Sequence, residues 1–176
     1  QALDEASELV DQRFGGRPDL AVDIRTALGD SLFATYRLDA AEALLQRALA
    51  DGERLFGPDD PRTVHALASL ASVVKESNRL DQAQALFEDA LARLERAGNR
   101  SHPLHASVLN DLGVMHLVAE DFESARGYLE RALAATDPAS EEYARTVANL
   151  AQASRGVGDL DRAEALYRQA QPILER

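Results

Sequence analysis

The sequence predicts an all-α fold, a solenoid of four helix pairs that is preceded by one more helix. Three observations predict it: the chain repeats itself, apolar residues recur at helical spacing, and strand-like alternation is scarce. The repeat steps are 42, 42 and 38 residues long, and self-similarity at such a period is typical of stacked repeats. A pair of an apolar and a small residue marks each step: Leu28-Gly29, Leu70-Ala71, Leu112-Gly113 and Leu150-Ala151.

Composition supports helices and excludes several classes of function. Hydrophobic residues make up 45% of the 176 residues and aromatic residues only 5%, which suits close helix packing rather than a sheet. The net charge of −11 argues against nonspecific binding of nucleic acid or of an anionic membrane. Because cysteine is absent, thiolate catalysis, disulfides and Cys-based zinc sites are excluded. No apolar stretch approaches the ~20 residues of a membrane span.

The elements follow in order from the spacing of the apolar residues. A helix over roughly residues 2–14 comes first, and the segment 15–18 ends it. Each pair then has a first helix, A, and a second helix, B, and the short turn between them makes the two antiparallel. The predicted A helices cover roughly 19–35, 61–77, 103–118 and 140–156, and the predicted B helices roughly 38–55, 80–97, 121–135 and 159–175.

The breaks between the pairs carry residues that end and start helices. Gly57 suits the end of a helix, Asp60 can cap the next helix, and Pro61 fits its first turn. Asp121 can cap the third B helix in the same way. The break at residues 137–140 is shorter than the others, and this is expected to account for the 38-residue step.

The predicted organisation is a capping segment, residues 1–17, and a repeat domain, residues 18–176. The repeats are expected at about 18–57, 58–100, 101–138 and 139–176. The chain begins with Gln inside a helical pattern, which indicates a piece of a longer protein.

The repeat signature resembles tetratricopeptide repeats, in the long-helix variety that is similar to those of kinesin light chains. Besides the pair in helix A, helix B has an early Ala, a large apolar residue four positions later and an Ala three beyond. The resemblance implies a right-handed α–α superhelix whose A helices line a concave groove for a protein or peptide, with no cofactor and no metal. The B-helix residues are Ala41, Leu45 and Ala48, then Ala83, Phe87 and Ala90, then Ala125, Leu129 and Ala132, and finally Ala163, Tyr167 and Ala170.

The repeat register places one row of A-helix side chains in this groove, and a peptide is expected to lie along the row. Apolar side chains of the peptide would meet Val114 and Leu117, and an acidic group would meet Arg145 or Arg155. Asn110 can donate to and accept from a peptide backbone. The alternative at each position is a solvated side chain with no ligand. The row consists of Thr26, Asp30, Phe33, His65, Ser72, Lys75, Ser107, Asn110, Val114, Leu117, Arg145, Gln152 and Arg155.

Other constellations favour structural roles over chemistry. His102 and His105 have a spacing that can hold a metal on a helix, but no third ligand is evident and a structural role is favoured. His116 is expected to pack against a neighbouring helix. Asp59-Asp60 is typical of a helix cap, and neither a nucleophile elbow nor a dinucleotide-binding turn is present. The chain is therefore not expected to be an enzyme.

The sequence thus predicts a scaffold for protein–protein interaction in a larger protein. The lead-in at residues 9–20 is similar to that of repeat regions in bacterial serine/threonine kinases and some winged-helix regulators, which implies a bacterial parent with a signalling or DNA-binding domain upstream. The expected location is the cytoplasm. No nucleic acid or membrane partner is expected for this segment. The alternative is self-association. Pro172 is expected to kink the last helix, and the open C-terminal end would expose apolar surface that a homodimer could bury.

Overall fold

The computed structural model describes residues 17–100 and 102–174, with side chains up to residue 171. These residues form eight helices and no strand, which confirms the predicted all-α class. The predicted helix at roughly 2–14 lies outside the described residues. The chain divides into two compact units, residues 1–98 and 99–176. Unit 1 contains α1 (Pro18–Ala34), α2 (Leu38–Phe56), α3 (Pro61–Glu76) and α4 (Leu80–Arg96), and unit 2 contains α5 (Pro103–Val118), α6 (Phe122–Ala135), α7 (Glu141–Gly156) and α8 (Leu160–Leu174).

Each unit holds two helix pairs, so that the odd-numbered helices are the A helices and the even-numbered helices are the B helices. All predicted helices within the described residues exist, and their ends agree with the predicted bounds to about one residue. The agreement follows from the repeat itself, because four copies of one pattern locate each boundary better than a single copy does. The last helix continues through Pro172 to Leu174.

The turn inside every pair is three residues long and has one conformation. Its middle residue is left-handed, with φ of 58° at Tyr36, 60° at Asn78, 59° at Glu120 and 86° at Gly158. In the second pair, the amide of Arg79 donates to the carbonyl of Val74, 3.2 Å away. The matching bonds in the other pairs satisfy the last carbonyls of the A helix, as in a Schellman ending. The turn thus reverses the chain direction, so that helix B packs antiparallel to helix A in each pair.

Aspartate side chains cap the N-termini of α3 and α6. Asp60 accepts a hydrogen bond from the amide of Arg62 at 3.0 Å, and Pro61 is in the first turn of α3. Asp121 accepts from the amide of Ser124 at 3.2 Å at the start of α6. Both predicted caps are confirmed. They satisfy amide groups that have no partner within the first helical turn.

Small residues bring the A and B helices of a pair close together. A β-carbon added to Gly29 would lie 2.6 Å from Cγ of Leu45, and one added to Gly113 would lie 2.5 Å from Cγ of Leu129. Both leucines are fully buried. Glycine at these two positions therefore lets a leucine fill the space beside the helix backbone. The early Ala residues of the B helices are buried as well: Ala41, Ala83, Ala125 and Ala163.

The short step before the fourth repeat has a different origin from the predicted one. The linker between α6 and α7 has five residues and the linker between α4 and α5 has six, so the linker loses only one. The other difference lies in the B helix, which has 17 residues in α4 and 14 in α6. The prediction that the break alone accounts for the step was therefore wrong. Helix α6 ends early because Pro138 follows Asp137, and the helical conformation is disfavoured for a residue that precedes proline.

Candidate binding surfaces on the A helices

The A helices of unit 1 present a mixed polar surface. Nε2 of His65 on α3 lies 3.7 Å from Oδ2 of Asp30 on α1, and both side chains are exposed to solvent. Ser72 donates its hydroxyl to the carbonyl of Ala68 at 3.1 Å. The ammonium group of Lys75 lies 5.6 Å from the ring centroid of Phe87, within the range of a cation–π interaction. Five predicted residues, Asp30, Phe33, His65, Ser72 and Lys75, thus lie at least partly on the surface of unit 1.

Two residues of the predicted row are not accessible to a ligand. Thr26 is only 3% exposed, and its hydroxyl donates to the carbonyl of Val22 at 3.0 Å. Leu117 is also buried and belongs to the hydrophobic core of unit 2. Successive helical residues differ by about 100° around the axis, so inward and outward positions are close in sequence, and these two side chains lie on the inward side of their helices. Their placement on the binding surface is corrected accordingly.

A hydrogen-bonded cluster connects the two A helices of unit 2. Oδ1 of Asn110 on α5 accepts from Nδ2 of Asn149 at 3.1 Å and from the hydroxyl of Thr146 at 3.3 Å, both on α7. The three side chains hold α5 beside α7. Within the described residues the amide nitrogen of Asn110 has no acceptor, and the residue is half-buried. The amide nitrogen of Asn110 therefore keeps its two donors for a further acceptor.

The rest of the unit 2 surface combines apolar and basic groups. Ser107 and Val114 on α5 are half-buried, while Arg145, Gln152 and Arg155 on α7 are exposed. Val118, one turn beyond Val114, is 66% exposed. The sequence reasoning missed Val118 and Asn149. The four-residue spacing from Val114 could have identified Val118, since positions i and i+4 share a helix face.

The histidines have structural surroundings. Nδ1 of His102 accepts from the amide of Leu104 at 3.2 Å and caps α5. His116 stacks on Tyr128 with 5.2 Å between ring centroids, and its Nδ1 lies 3.2 Å from Oδ2 of Asp121. Hydrogen bonds from Ser124, together with the charge of His116, lower the pKa of Asp121. The part of the chain that the structure describes contains no group of three His, Asp or Glu residues that could hold a metal.

Among residues 17–100 and 102–174, no helix combines the length and the apolar character needed to cross a bilayer.

The class of protein that this fold and surface define is a helical-repeat scaffold for protein interaction. The repeat model of one family, the tetratricopeptide repeat, matches residues 19–96, 78–137 and 104–176, which together span most of the sequence. The chain therefore belongs to the tetratricopeptide repeat family. A comparison with curated proteins gives no significant match.

Solved structures share the fold at low sequence identity. BtubC (BKLC) from P. vanneervenii is 24% identical with a TM-score of 0.82, and the match covers 99% of this chain and 74% of that one. A Podosopora anserina protein with nearly identical TPR-like repeats of the kinesin light chain kind is 18% identical, with a TM-score of 0.71 and coverage of 97% and 86%.

The Rap conjugation gene regulator of the plasmid pLS20, solved in complex with the Phr* peptide, is 16% identical. Its TM-score is 0.78, and the match covers 96% of this chain and 47% of the regulator. These likenesses confirm the predicted repeat fold, including its similarity to kinesin light chains.

Proposed function

We propose that this chain is an interaction module that binds an extended peptide segment of a partner protein on its A helices, chiefly on those of unit 2. The observation that carries the proposal is the hydrogen bonding of Asn110. Its carbonyl oxygen is occupied by Asn149 and Thr146, which leaves its amide donors for a peptide carbonyl. An extended peptide needs such partners, because its backbone groups lose water when it binds.

The surroundings of Asn110 support the same function. Val114 and Val118 supply apolar surface one and two turns beyond Asn110 on α5, and Arg145, Gln152 and Arg155 on α7 supply long polar side chains. The structural relative that was solved with a bound peptide, the Rap regulator, has the same repeat fold. In our proposal the module belongs to a larger bacterial signalling or regulatory protein, which is supported by the resemblance of residues 9–20 to the lead-in of such repeat regions. We also propose that this protein is cytoplasmic.

Selection from a random-peptide display library tests the function, because such a library presents peptides of many different sequences to the binding surface. The test variant is Asn110→Ala with Arg155→Ala. The matched control, Gln46→Ala with Arg168→Ala, also removes one amide and one arginine, but on B helices where both side chains are exposed. Peptides selected on the wild-type protein should lose binding to the test variant and keep binding to the control. Equal binding to all three proteins would place the binding site elsewhere.

Self-association is a second candidate, which one observation favours. Leu160 and Tyr167 on α8 are 64% and 41% exposed. The repeat-equivalent residues of α6 are covered: Leu129 is fully buried, and Phe122 lies against Gly156 of α7. A second copy of the chain could cover α8 as α7 covers α6.

Light scattering across a range of protein concentrations tests whether the chain self-associates. A dimer that dissociates in the variant Leu160→Ser with Tyr167→Ser would support it. A wild-type protein that stays monomeric at high concentration would remove it.

A further inference from the structure

The contact between α6 and α7 shows how a B helix packs on the A helix of the next pair. Leu129 of α6 lies in one core cluster with Leu150 and Ala153 of α7. Phe122 at the start of α6 lies against Gly156 at the end of α7, since a β-carbon added to that glycine would overlap the phenyl ring. Two large apolar side chains of the B helix thus meet apolar and small residues of the A helix.

Helix α8 presents the same two positions to solvent. Its equivalents of Phe122 and Leu129 in the repeat are Leu160 and Tyr167, and both are exposed large hydrophobic residues. Exposed apolar area on this scale favours association with a surface that removes it from water. The helix that covers α6 at these positions is an A helix, so an A helix with matching residues is the fitting partner for α8.

Among the A helices of the described residues, α1 leaves the matching positions uncovered. Leu28 of α1 is 39% exposed, whereas its equivalent on α7, Leu150, is buried. Ser31 is exposed although its equivalent, Ala153, is fully buried. Ala34 stands at the position of the glycine that contacts α6, and it is exposed as well. The small side chains of α1 leave room for the larger ones of α8.

The charges next to these two surfaces are complementary in the same register. Arg79, directly before α4, pairs with Glu42 of α2 at 2.5 Å and thereby connects two consecutive repeats. The equivalent of Glu42 on α8 is Glu164, and the equivalent of Arg79 directly before α2 is Arg37. Arg37 is exposed and has no ion pair within the part of the chain that the structure describes. Glu164 pairs with Arg168, and a carboxylate can accept from a second arginine.

We propose that α8 of one copy of this chain binds α1 of a second copy in the way that α6 binds α7. This inference rests on the self-association candidate of the proposed function and names both surfaces of the contact. Because the two surfaces differ, the contact is heterologous and adds copies head to tail, unlike a symmetric dimer. The contact brings together Tyr167 with Leu28 and Ser31, Leu160 with Ala34, and Glu164 with Arg37.

Two variants that each block one surface test this contact by light scattering of the full chain. Ser31→Arg blocks α1 and leaves α8 intact, while Leu160→Arg blocks α8 and leaves α1 intact. Both positions are exposed, and circular dichroism verifies that the variants fold. Each variant alone should stay monomeric at concentrations at which the wild-type protein associates. Their equimolar mixture should form a 1:1 complex that does not grow, because each variant retains the surface that the other lacks.

Charge reversal tests the ion pair within the same contact. Arg37→Glu should weaken the association about fivefold, as the loss of an exposed ion pair and a new like-charge contact imply. Adding Glu164→Arg to the same chain restores opposite charges and should recover the association. The matched control is Arg100→Glu, since this exposed arginine lies in the linker between α4 and α5. It changes the net charge equally and should associate like the wild-type protein.

The outcomes separate this inference from the candidate on which it rests. Association that persists in Ser31→Arg but disappears in Leu160→Arg would overturn the contact with α1 and leave self-association through α8 intact. A wild-type protein that stays monomeric at high concentration would contradict both, and the predicted helix at roughly residues 2–14 would then be the remaining occupant of the α1 surface. Peptide binding is independent of these outcomes, because Ser31 and Leu160 lie outside the predicted row.

Discussion

Nη1 of Arg25 on α1 donates to Oδ2 of Asp51 on α2 at 2.9 Å, and the arginine side chain is only 2% exposed. Arg54 donates to the other oxygen of the same carboxylate at 2.9 Å. The repeat-equivalent positions of Arg25 carry apolar residues that are buried, namely Leu67, Leu109 and Val147. The first repeat thus has an ion pair where the others have aliphatic packing.

This ion pair predicts losses of unequal size for its two residues. Asp51→Ala should destabilise the protein by about 2 kcal/mol, because it removes the carboxylate from a buried guanidinium. Arg25→Leu should change the free energy of unfolding by less than about 1 kcal/mol, since an apolar residue can replace a buried charge. Urea unfolding followed by circular dichroism measures both. A larger loss for Arg25→Leu than for Asp51→Ala would contradict the prediction.

Two glycines should respond to alanine with opposite sign. Gly113→Ala should cost about 1–3 kcal/mol, because the new methyl group would lie 2.5 Å from Cγ of Leu129. Gly127→Ala on α6 should gain about 0.5–1 kcal/mol, since nothing lies within 4 Å and alanine favours helix. The other repeats carry alanine at this second position. Thermal unfolding of the two variants checks the signs, and a stabilising Gly113→Ala would be inconsistent with the packing.

The left-handed turns predict a stabilising change at an exposed residue. Glu120 has φ of 59°, a conformation that costs a side-chain-bearing residue about 1–2 kcal/mol. Glu120→Gly should therefore raise the free energy of unfolding by about 0.5–1 kcal/mol after the entropy of the unfolded glycine is counted. Gly158→Ala, at φ of 86°, is the reverse control and should lower it by a similar amount. Equal stability of both variants would argue against strain at the turns.

Acid stability should depend on the cap of α3. Hydrogen bonds from the Arg62 side chain, more than those from its amide, hold the pKa of Asp60 below 3.8, its ordinary value. A carboxyl whose pKa is lower in the folded state stabilises the protein above its unfolded pKa, and this contribution disappears as pH falls through the folded pKa. Asp60→Asn keeps a good cap but loses the titration. Unfolding midpoints between neutral and acidic pH should fall less steeply in the variant, and parallel curves would contradict this.

The sequence predicted the helices well because their determinants are local and repeated. The cap at Asp60, the small residue at Gly29 and the breaks between the pairs each follow from nearby residues. The origin of the 38-residue step was misassigned, since the sequence alone did not show how far α6 continues before Asp137. The ion pair of Arg25 with Asp51 joins residues 26 positions apart, and only the packing of the two helices reveals it.

The surface was harder to predict than the helices. Exposed and buried positions alternate within one turn of a helix, and Thr26 is buried although Asn110, its equivalent in the third repeat, is half-buried. Asn110 was expected to meet a ligand directly, but its link to Asn149 depends on the distance between two helices and could not be inferred from either one. The roles of these residues in binding stay predictions.

The variation in repeat length has a consequence for how this chain tolerates insertions. The A helices have 16 or 17 residues and every turn after them has three, whereas the B helices range from 14 to 19 residues. Natural length changes therefore fall at the ends of the B helices and in the linkers that follow. A tag or foreign loop placed between Ala135 and Glu141 should leave the register of α5 unchanged, while the same insertion at Glu120 would break the left-handed turn.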